Sequence, residues 1–200
     1  MTYVDNLVLS KDVIKVYENF VTDEDCKSIC DFMYLRATQN RMYSRDNFFW
    51  TLGLIKNKKI HLILDKLAEQ AIKEINYPNP LYIRDYVFNL MGTNASIGKH
   101  TDRSGNPEFT WTSVFYLNKV SDYEEGQIYF EELDLKLNPE KRTMITMPAT
   151  ILHEVLEVKK GGRYSLSVFF TEHKEYELFF EQPKNYNDKF NYWRNMDSDD

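Results

Sequence analysis

The tripeptide His100-Thr101-Asp102 sets an imidazole and a carboxylate two residues apart. In a strand, residues i and i+2 point to the same face, so both side chains project together. They make two-thirds of a 2-His-1-carboxylate facial set, a donor combination suited to non-haem Fe(II). The tripeptide alone is a weak signal, and a third ligand must come from another strand. The chain has 4 His. His61 falls at the start of a helical pattern, and His173 lies past the last strand among charges. His153 opens a strand in PATILHEVLEV, on the same strand-rich half as His100, and is the natural partner.

Arg163 follows His153 by ten residues, and Ser165 follows Arg163 by two. These two share one face of a strand whose other face is Leu166, Val168 and Phe170. An arginine turned into a small barrel is costly unless an anion meets it. A guanidinium paired with a carboxylate, with a hydroxyl beside it, satisfies both groups. Tyr116 adds a second hydroxyl, and its face-mates Thr112 and Val114 also point inward. The residues therefore call for a metal and a small dicarboxylate lying between metal and arginine. Taken singly, His100, Asp102 and His153 read more plainly as a strand histidine, a turn-capping acid and a core histidine. Their conjunction with an inward Arg163 favours the site. Ser165 taken alone is a space filler, and Tyr116 a core aromatic.

The chain that must position these groups has 200 residues, enough for one domain with a real core. An apolar content of 42% and an aromatic content of 15% exclude a disordered chain and favour a strand-rich core. Lys and Arg number 25 against 31 Asp and Glu, a net charge of −6, which argues against nucleic acid as a partner. No stretch approaches a membrane span, and the N-terminus lacks a signal pattern, so a cytoplasmic protein is expected. With 2 Cys there is no disulfide scaffold. Cys26 and Cys30, one helical turn apart, read as small buried residues.

The front of the chain is helical and the back strand-rich, with no linker or repeat between them. An apolar segment, Val13 to Phe20, comes first. Thr22 with Asp25 three residues on marks a helix start, and the helix runs to about Arg36. Apolar residues at helical period predict a second helix from about Asn57 to Ile75, stopped by Pro78 and Pro80. Asn40 to Trp50 reads as a packed connecting loop. Beyond Pro80 the period changes to two, giving strands at Leu81–Met91, Ile97–Asp102, Trp111–Asn118, Gln127–Glu131, Thr143–Met147, His153–Val158 and Arg163–Thr171. Many short strands mean an antiparallel sandwich or barrel, with the helices buttressing one sheet from outside.

The run HTD…FYLN…GQIYF…MPATILHEV…GGRYSLSVFF resembles the Fe(II)/2-oxoglutarate-dependent dioxygenases, and within them the prolyl 4-hydroxylase-like group. The resemblance covers roughly residues 82 to 171. It implies a mixed α/β (α+β) chain whose core is a double-stranded β-helix, a cupin-like jelly-roll, with N-terminal supporting helices. On that reading residues 1–80 are the helical support, 81–172 the jelly-roll and 173–200 a C-terminal packing segment of one dioxygenase domain. The resemblance implies Fe(II) on His100, Asp102 and His153. Arg163, with Ser165 and Tyr116, is implied to hold the distal carboxylate of 2-oxoglutarate. It further implies O2 as co-reactant, ascorbate as an optional reductant, and hydroxylation of a peptide or protein, with proline the family-based target.

Some positions depart from the family pattern. Leu90, with Asn89 beside it, stands where many relatives carry a tyrosine, and Glu125-Gly126 stands for a Gly-Gly pair. Trp111, Trp50 and Arg103 read as rim or core residues rather than substrate contacts, and Lys159 and Lys160 as solvated turn residues. The aromatic and charged stretch Tyr176–Trp193 reads as a closing element packed on the body. A free amino acid or small metabolite as substrate remains open on sequence grounds. So does a jelly-roll that binds metal or anion without turnover. A hydrolytic zinc enzyme is disfavoured, because no general-base Glu sits at helical spacing from the histidines.

Overall fold

Two helices form the outer layer. Thr22 accepts a hydrogen bond from the Asp25 N–H at 3.0 Å and starts α1 (Asp23–Thr38), as the sequence predicts. Asn57 likewise accepts from the Ile60 N–H at 3.1 Å and starts α2 (Lys58–Ile75). Each such cap contributes about 1 kcal/mol by satisfying a donor that the first turn leaves unpaired. α2 ends on Asn76 in a left-handed conformation, ahead of Pro78. Its buried residues Ile60, Ile63, Leu64, Leu67, Ala68, Ala71 and Ile75 form one stripe. Burying each Leu or Ile of that stripe stabilises by about 1.5–3 kcal/mol.

The structure is a computed structural model that describes residues 13–39, 42–52 and 57–178. Its strands in chain order are β1 (Lys15–Tyr17), β2 (Tyr43–Arg45), β3 (Phe48–Leu52), β4 (Tyr82–Met91), β5 (Ile97–His100), β6 (Trp111–Tyr116) and β7 (Tyr123–Glu125), then β8 (Ile128–Phe130), β9 (Leu135–Leu137), β10 (Met144–Pro148), β11 (His153–Val155), β12 (Val158–Gly161) and β13 (Arg163–Thr171). A single helical turn, α3 (Asp102–Gly105), follows β5. Seven strands make the large sheet in the order β1-β10-β6-β13-β4-β3-β2, four make the small one in the order β5-β11-β8-β9, and β12 pairs with β7. All the pairings are antiparallel, in the double-stranded β-helix arrangement. Among the described residues no helix is long and apolar enough to cross a membrane.

Strand alternation divides the large sheet into two jobs. On β4, β6 and β13, Phe88, Leu90, Phe115, Leu166, Val168 and Phe170 pack against the stripes of α1 and α2. The opposite face of the same strands carries Asn89, Thr112, Val114, Arg163, Ser165 and Ser167 toward the small sheet. A one-residue slip in any of these strands would exchange the two sets, so the apolar core fixes the register of the polar face.

Four expectations change. The 40–50 stretch is not a loop. Its described part is a hairpin, with β2 pairing β3 through Asp46 and Asn47, both at positive φ (49° and 62°), the backbone of a tight two-residue hairpin turn. Asn40 and Arg41 lie outside the described residues. The front segment also contributes β1, paired to β10, so sheet and helix interleave there. The strand expected to reach Asp102 stops at His100, and the one expected over His153–Val158 splits into β11 and β12 in different sheets. Of the stretch Tyr176–Trp193, only the part to Leu178, whose N–H donates to the Ile83 carbonyl at 2.7 Å, is within the described residues.

Cys26 and Cys30 are unpaired thiols. Burial pushes them up to about 11 and about 12, which keeps them protonated and inert.

Candidate active site

His100 and His153 face each other directly across the β5–β11 ladder. Their rings lie 4.4 Å apart, centroid to centroid. Each ring is oriented by its own backbone: His100 Nδ1 donates to the Gly98 carbonyl at 2.8 Å, and His153 Nδ1 to the Ile151 carbonyl at 2.9 Å. A carbonyl can only accept, so in the neutral ring the proton sits on Nδ1 and Nε2 presents a lone pair.

Asp102 arrives by a different route from the one the strand period suggests. The Thr101 side chain accepts from the Ser104 N–H at 3.1 Å and opens the turn α3, whose first residue is Asp102. That turn brings the carboxylate to the histidines. Oδ1 is 3.5 Å from His100 Nε2 and 3.9 Å from His153 Nε2. Oδ2 accepts a hydrogen bond from Thr112 Oγ1 at 2.7 Å, which pins the carboxylate plane. One ligand atom from each of the three residues lies within 4.8 Å of the others. Three lone-pair donors converging without a hydrogen between neutral rings call for a cation, and two nitrogens with one oxygen suit a borderline divalent metal.

The local electrostatics agree. Burial holds His153 below the ordinary imidazole range against the pull of Asp102, so it is neutral at pH 7. His100 is raised, because its protonated ring hydrogen-bonds Asp102, against the opposing effect of burial. Asp102 is lowered overall. Burial, the largest single influence, raises it, but His100, His153 and the Thr112 hydroxyl together outweigh that.

The same cavity, about 230 Å³, reaches from these ligands to Arg163. Arg163 is 2% exposed. Its guanidinium donates to the Tyr116 hydroxyl at 3.1 Å and to Ser165 Oγ at 3.2 Å, and it touches Met91 Sδ at 3.6 Å. It also lies over the Tyr116 ring at 4.9 Å. Nε has no partner. Among the described residues, then, a fully buried cation meets only neutral groups. Gly126 gives its stem room, since a Cβ there would sit 3.3 Å from Arg163 Cδ and 2.9 Å from Val158 Cγ2.

The structure thus brings His100, Asp102, His153, Arg163 and Ser165 onto one cavity. Tyr116 is buried behind the guanidinium, with its O–H left to donate. Trp111 belongs to the helix-side core, its indole N–H donating to Thr146 Oγ1 at 2.7 Å. Arg103 donates from Nε to the Pro107 carbonyl at 3.2 Å and does not line the cavity. Trp50 lies on the cavity wall, half-buried. Sequence reasoning named Asn89 beside Leu90 without assigning it a contact. Strand parity held the signal, because Asn89 pairs with Ser165 and so shares its face, while Leu90 faces the helices.

Residues 86–171 match the family model of the 2OG-Fe(II) oxygenase superfamily. A PKHD-type hydroxylase from Prochlorococcus marinus (strain NATL1A) is 28% identical over 122 residues, covering 56% of this chain and 54% of that protein. The chain therefore spans about half the length of that relative. Two solved structures share the fold. A Pseudomonas putida prolyl-4-hydroxylase superposes with a TM-score of 0.64 at 15% identity, over 80% of this chain and 93% of its own. A Trichoplax adhaerens prolyl hydroxylase, in complex with a hypoxia inducible factor oxygen degradation domain peptide fragment, superposes with a TM-score of 0.66 at 14% identity, over 86% and 89%.

Proposed function

We propose that the chain, whose residues 86–171 match the family model of the 2OG-Fe(II) oxygenase superfamily, is a prolyl 4-hydroxylase-like member of it that couples decarboxylation of 2-oxoglutarate to succinate with hydroxylation of a C–H bond, that of a prolyl residue in a peptide or protein. The observation that carries this reading is the buried Arg163 guanidinium without a carboxylate partner, facing the same cavity as the His100–Asp102–His153 cluster. A metal cluster alone suits many reactions. A metal cluster and an unmatched buried cation in one small cavity suit a dicarboxylate cosubstrate.

His100, Asp102 and His153 hold Fe(II). Bound there, Fe(II) supplies the redox chemistry that activates O2 and links oxidation of the keto acid to oxidation of the C–H bond. Arg163 receives the distal carboxylate of 2-oxoglutarate, Ser165 donates beside it, and Tyr116 both backs the guanidinium and donates its hydroxyl proton. Ascorbate is an optional reductant. The apolar walls, among them Val114, Ile128 and Phe169, exclude water from the reacting end. The buried reduced thiols of Cys26 and Cys30 suit a reducing compartment, the cytoplasm.

The test is succinate formation from 2-oxoglutarate by the full chain with Fe(II) in air. Proline-rich peptides are screened in parallel for the mass gain of one oxygen. Succinate with an oxygen-bearing peptide supports the reading. Iron-loaded protein that releases no succinate removes it.

Thr112 gives a narrower test. Its hydroxyl is the hydrogen bond that orients Asp102. Thr112→Val keeps the shape and drops that donor, and Fe(II) affinity should fall by roughly 10- to 100-fold. An anaerobic metal titration measures it, and an unchanged affinity would leave Thr112 a packing residue only.

A further inference from the structure

β13 begins at Arg163, and on one side β4 holds it there, with Arg163 facing Met91. On the other side β6 stops short. Its pairing with β13 ends at Tyr116 and Ser165, and one backbone bond follows, from the Leu117 N–H to the Tyr164 carbonyl at 3.0 Å. A continuing antiparallel ladder would return the Tyr164 N–H to the Leu117 carbonyl. That carbonyl instead accepts from the Cys30 thiol at 3.9 Å. The residue that carries the guanidinium therefore sits at a strand end, where the backbone of β6 leaves its neighbours unpaired.

Asn118 takes the place of that backbone with its side chain. Oδ1 accepts from the Tyr164 N–H at 2.9 Å, and Nδ2 donates to the Gly162 carbonyl at 2.8 Å. These groups belong to the two peptide units on either side of Arg163. One amide thus spans Arg163 with an acceptor and a donor, as a facing residue of a ladder would. The amide is itself held, since Nδ2 also donates to Asp122 Oδ2 at 3.3 Å, and that oxygen accepts from the Lys119 N–H at 2.9 Å. Gly161, at φ 79°, packs on the same loop, where a Cβ would run into the Asp122 carbonyl. Asn118 is half-buried and does not line the cavity.

We infer that Asn118 is a positioning residue for the dicarboxylate end of the cavity, setting the guanidinium of Arg163 against Tyr116 and Ser165 by clamping the peptide groups that flank it. This rests on the cosubstrate role of Arg163 proposed above. Asn118 follows Tyr116 by two residues, so one side chain ties the strand that carries the hydroxyl to the backbone that carries the cation. An arginine on an untied strand end would sample several placements of its fork. The clamp removes that freedom before a carboxylate arrives, which leaves less ordering cost for binding. The metal ligands belong to β5, α3 and β11, whereas the bonds of Asn118 go to Asp122, Gly162 and Tyr164. The effect is therefore confined to one end of the cavity.

The experiment loads the full chain with Mn(II), which occupies the ligand set without turnover, and reads 2-oxoglutarate binding by calorimetry beside the melting temperature. A displaced fork forfeits about one charge-assisted hydrogen bond, so Asn118→Ala should raise the 2-oxoglutarate dissociation constant about tenfold. Mn(II) affinity should move less than about twofold. In the iron-loaded chain the loss should appear in half-saturation by 2-oxoglutarate and not in the maximal rate of succinate release. Thr22→Ala, which removes the α1 cap, is the control for plain loss of stability: it should lower the melting temperature and leave 2-oxoglutarate binding unchanged. Asn118→Ala added to Arg163→Leu should weaken binding no further than Arg163→Leu alone, because its effect passes through the guanidinium. Asn118→Asp keeps the acceptor for Tyr164 and drops the donor to Gly162, and it is read by the same criteria if the alanine variant does not fold. An unshifted 2-oxoglutarate constant in a folded Asn118 variant, an equal loss in Thr22→Ala, or additive losses in the double variant would each overturn the inference. A wild-type chain that binds Mn(II) but no 2-oxoglutarate would instead overturn the underlying reading.

Discussion

Arg163→Leu should bind Fe(II) as the wild type does and lose most of its affinity for 2-oxoglutarate. Among the described residues the guanidinium is the one cation at the far end of the cavity, and it is buried among Tyr116, Ser165 and Met91. A carboxylate placed there without it is desolvated and meets two hydroxyls only. Removing one partner of a buried, hydrogen-bonded charge pair costs about 2–5 kcal/mol, which corresponds to roughly thirty- to several-thousand-fold in half-saturation. The metal should not notice, since its three ligands sit on β5, α3 and β11 and none touches Arg163. The fold should tolerate the change, because no internal carboxylate is orphaned when the cation goes. The cost is confined to the Tyr116 and Ser165 hydroxyls, which lose a donor. Arg163→Lys separates charge from shape: it keeps the cation, loses the fork, and should fall between the two. Succinate release across a 2-oxoglutarate titration, with iron content measured on the same samples, reads both quantities. Equal cosubstrate dependence in Arg163→Leu and wild type would take the residue out of its proposed role.

How far these roles could be read without coordinates depended on what kind of physical signal marked each residue. Period-two alternation in RYSLSVFF separated Arg163 and Ser165 from Leu166, Val168 and Phe170, and the sheet keeps that division because one face packs on the helices. Thr22 and the long stripe of α2 were equally legible, as caps and period 3.6 are local properties of the chain. Asp102 was placed beside His100 for a reason that does not hold. It stands next to it through a turn capped by Thr101, not through strand alternation. The hairpin went unseen because its turn is Asp46-Asn47, without the glycine that usually marks such a turn, and its strands are short. With the hairpin hidden, Trp50 had no neighbour, and the rim of the cavity could not be drawn. Asn89 was named beside Leu90, but which of the two faces the cavity is fixed by the pairing of Asn89 with Ser165, a contact 76 residues away in sequence.

His153→Ala should abolish succinate formation, and the size of the effect follows from what the residue provides. Its imidazole is buried, neutral at pH 7, and fixed by the Ile151 carbonyl so that Nε2 is the free nitrogen. Nothing nearby can replace it. Among the described residues beside it, Phe130, whose ring centroid is 6.0 Å away, is apolar, and His100, 4.4 Å away, is already a member of the cluster. A hydrogen-bonding partner of a ligand is worth roughly 10- to 100-fold in metal affinity or activity, and the ligand itself must be worth more. A fall of at least about a thousandfold in turnover is the expectation, accompanied by weakened iron retention. The cavity left by the ring would also destabilise the fold, so His153→Gln is the companion variant. It fills most of the volume and offers an amide in place of the imidazole nitrogen, a poorer donor to a borderline metal. If both variants fold, lose iron and lose succinate together, the ring nitrogen is the cause. If His153→Gln retains wild-type turnover and iron, the third ligand is some other group, and the cluster with His100 and Asp102 is a hydrogen-bonded pair lying beside a core histidine.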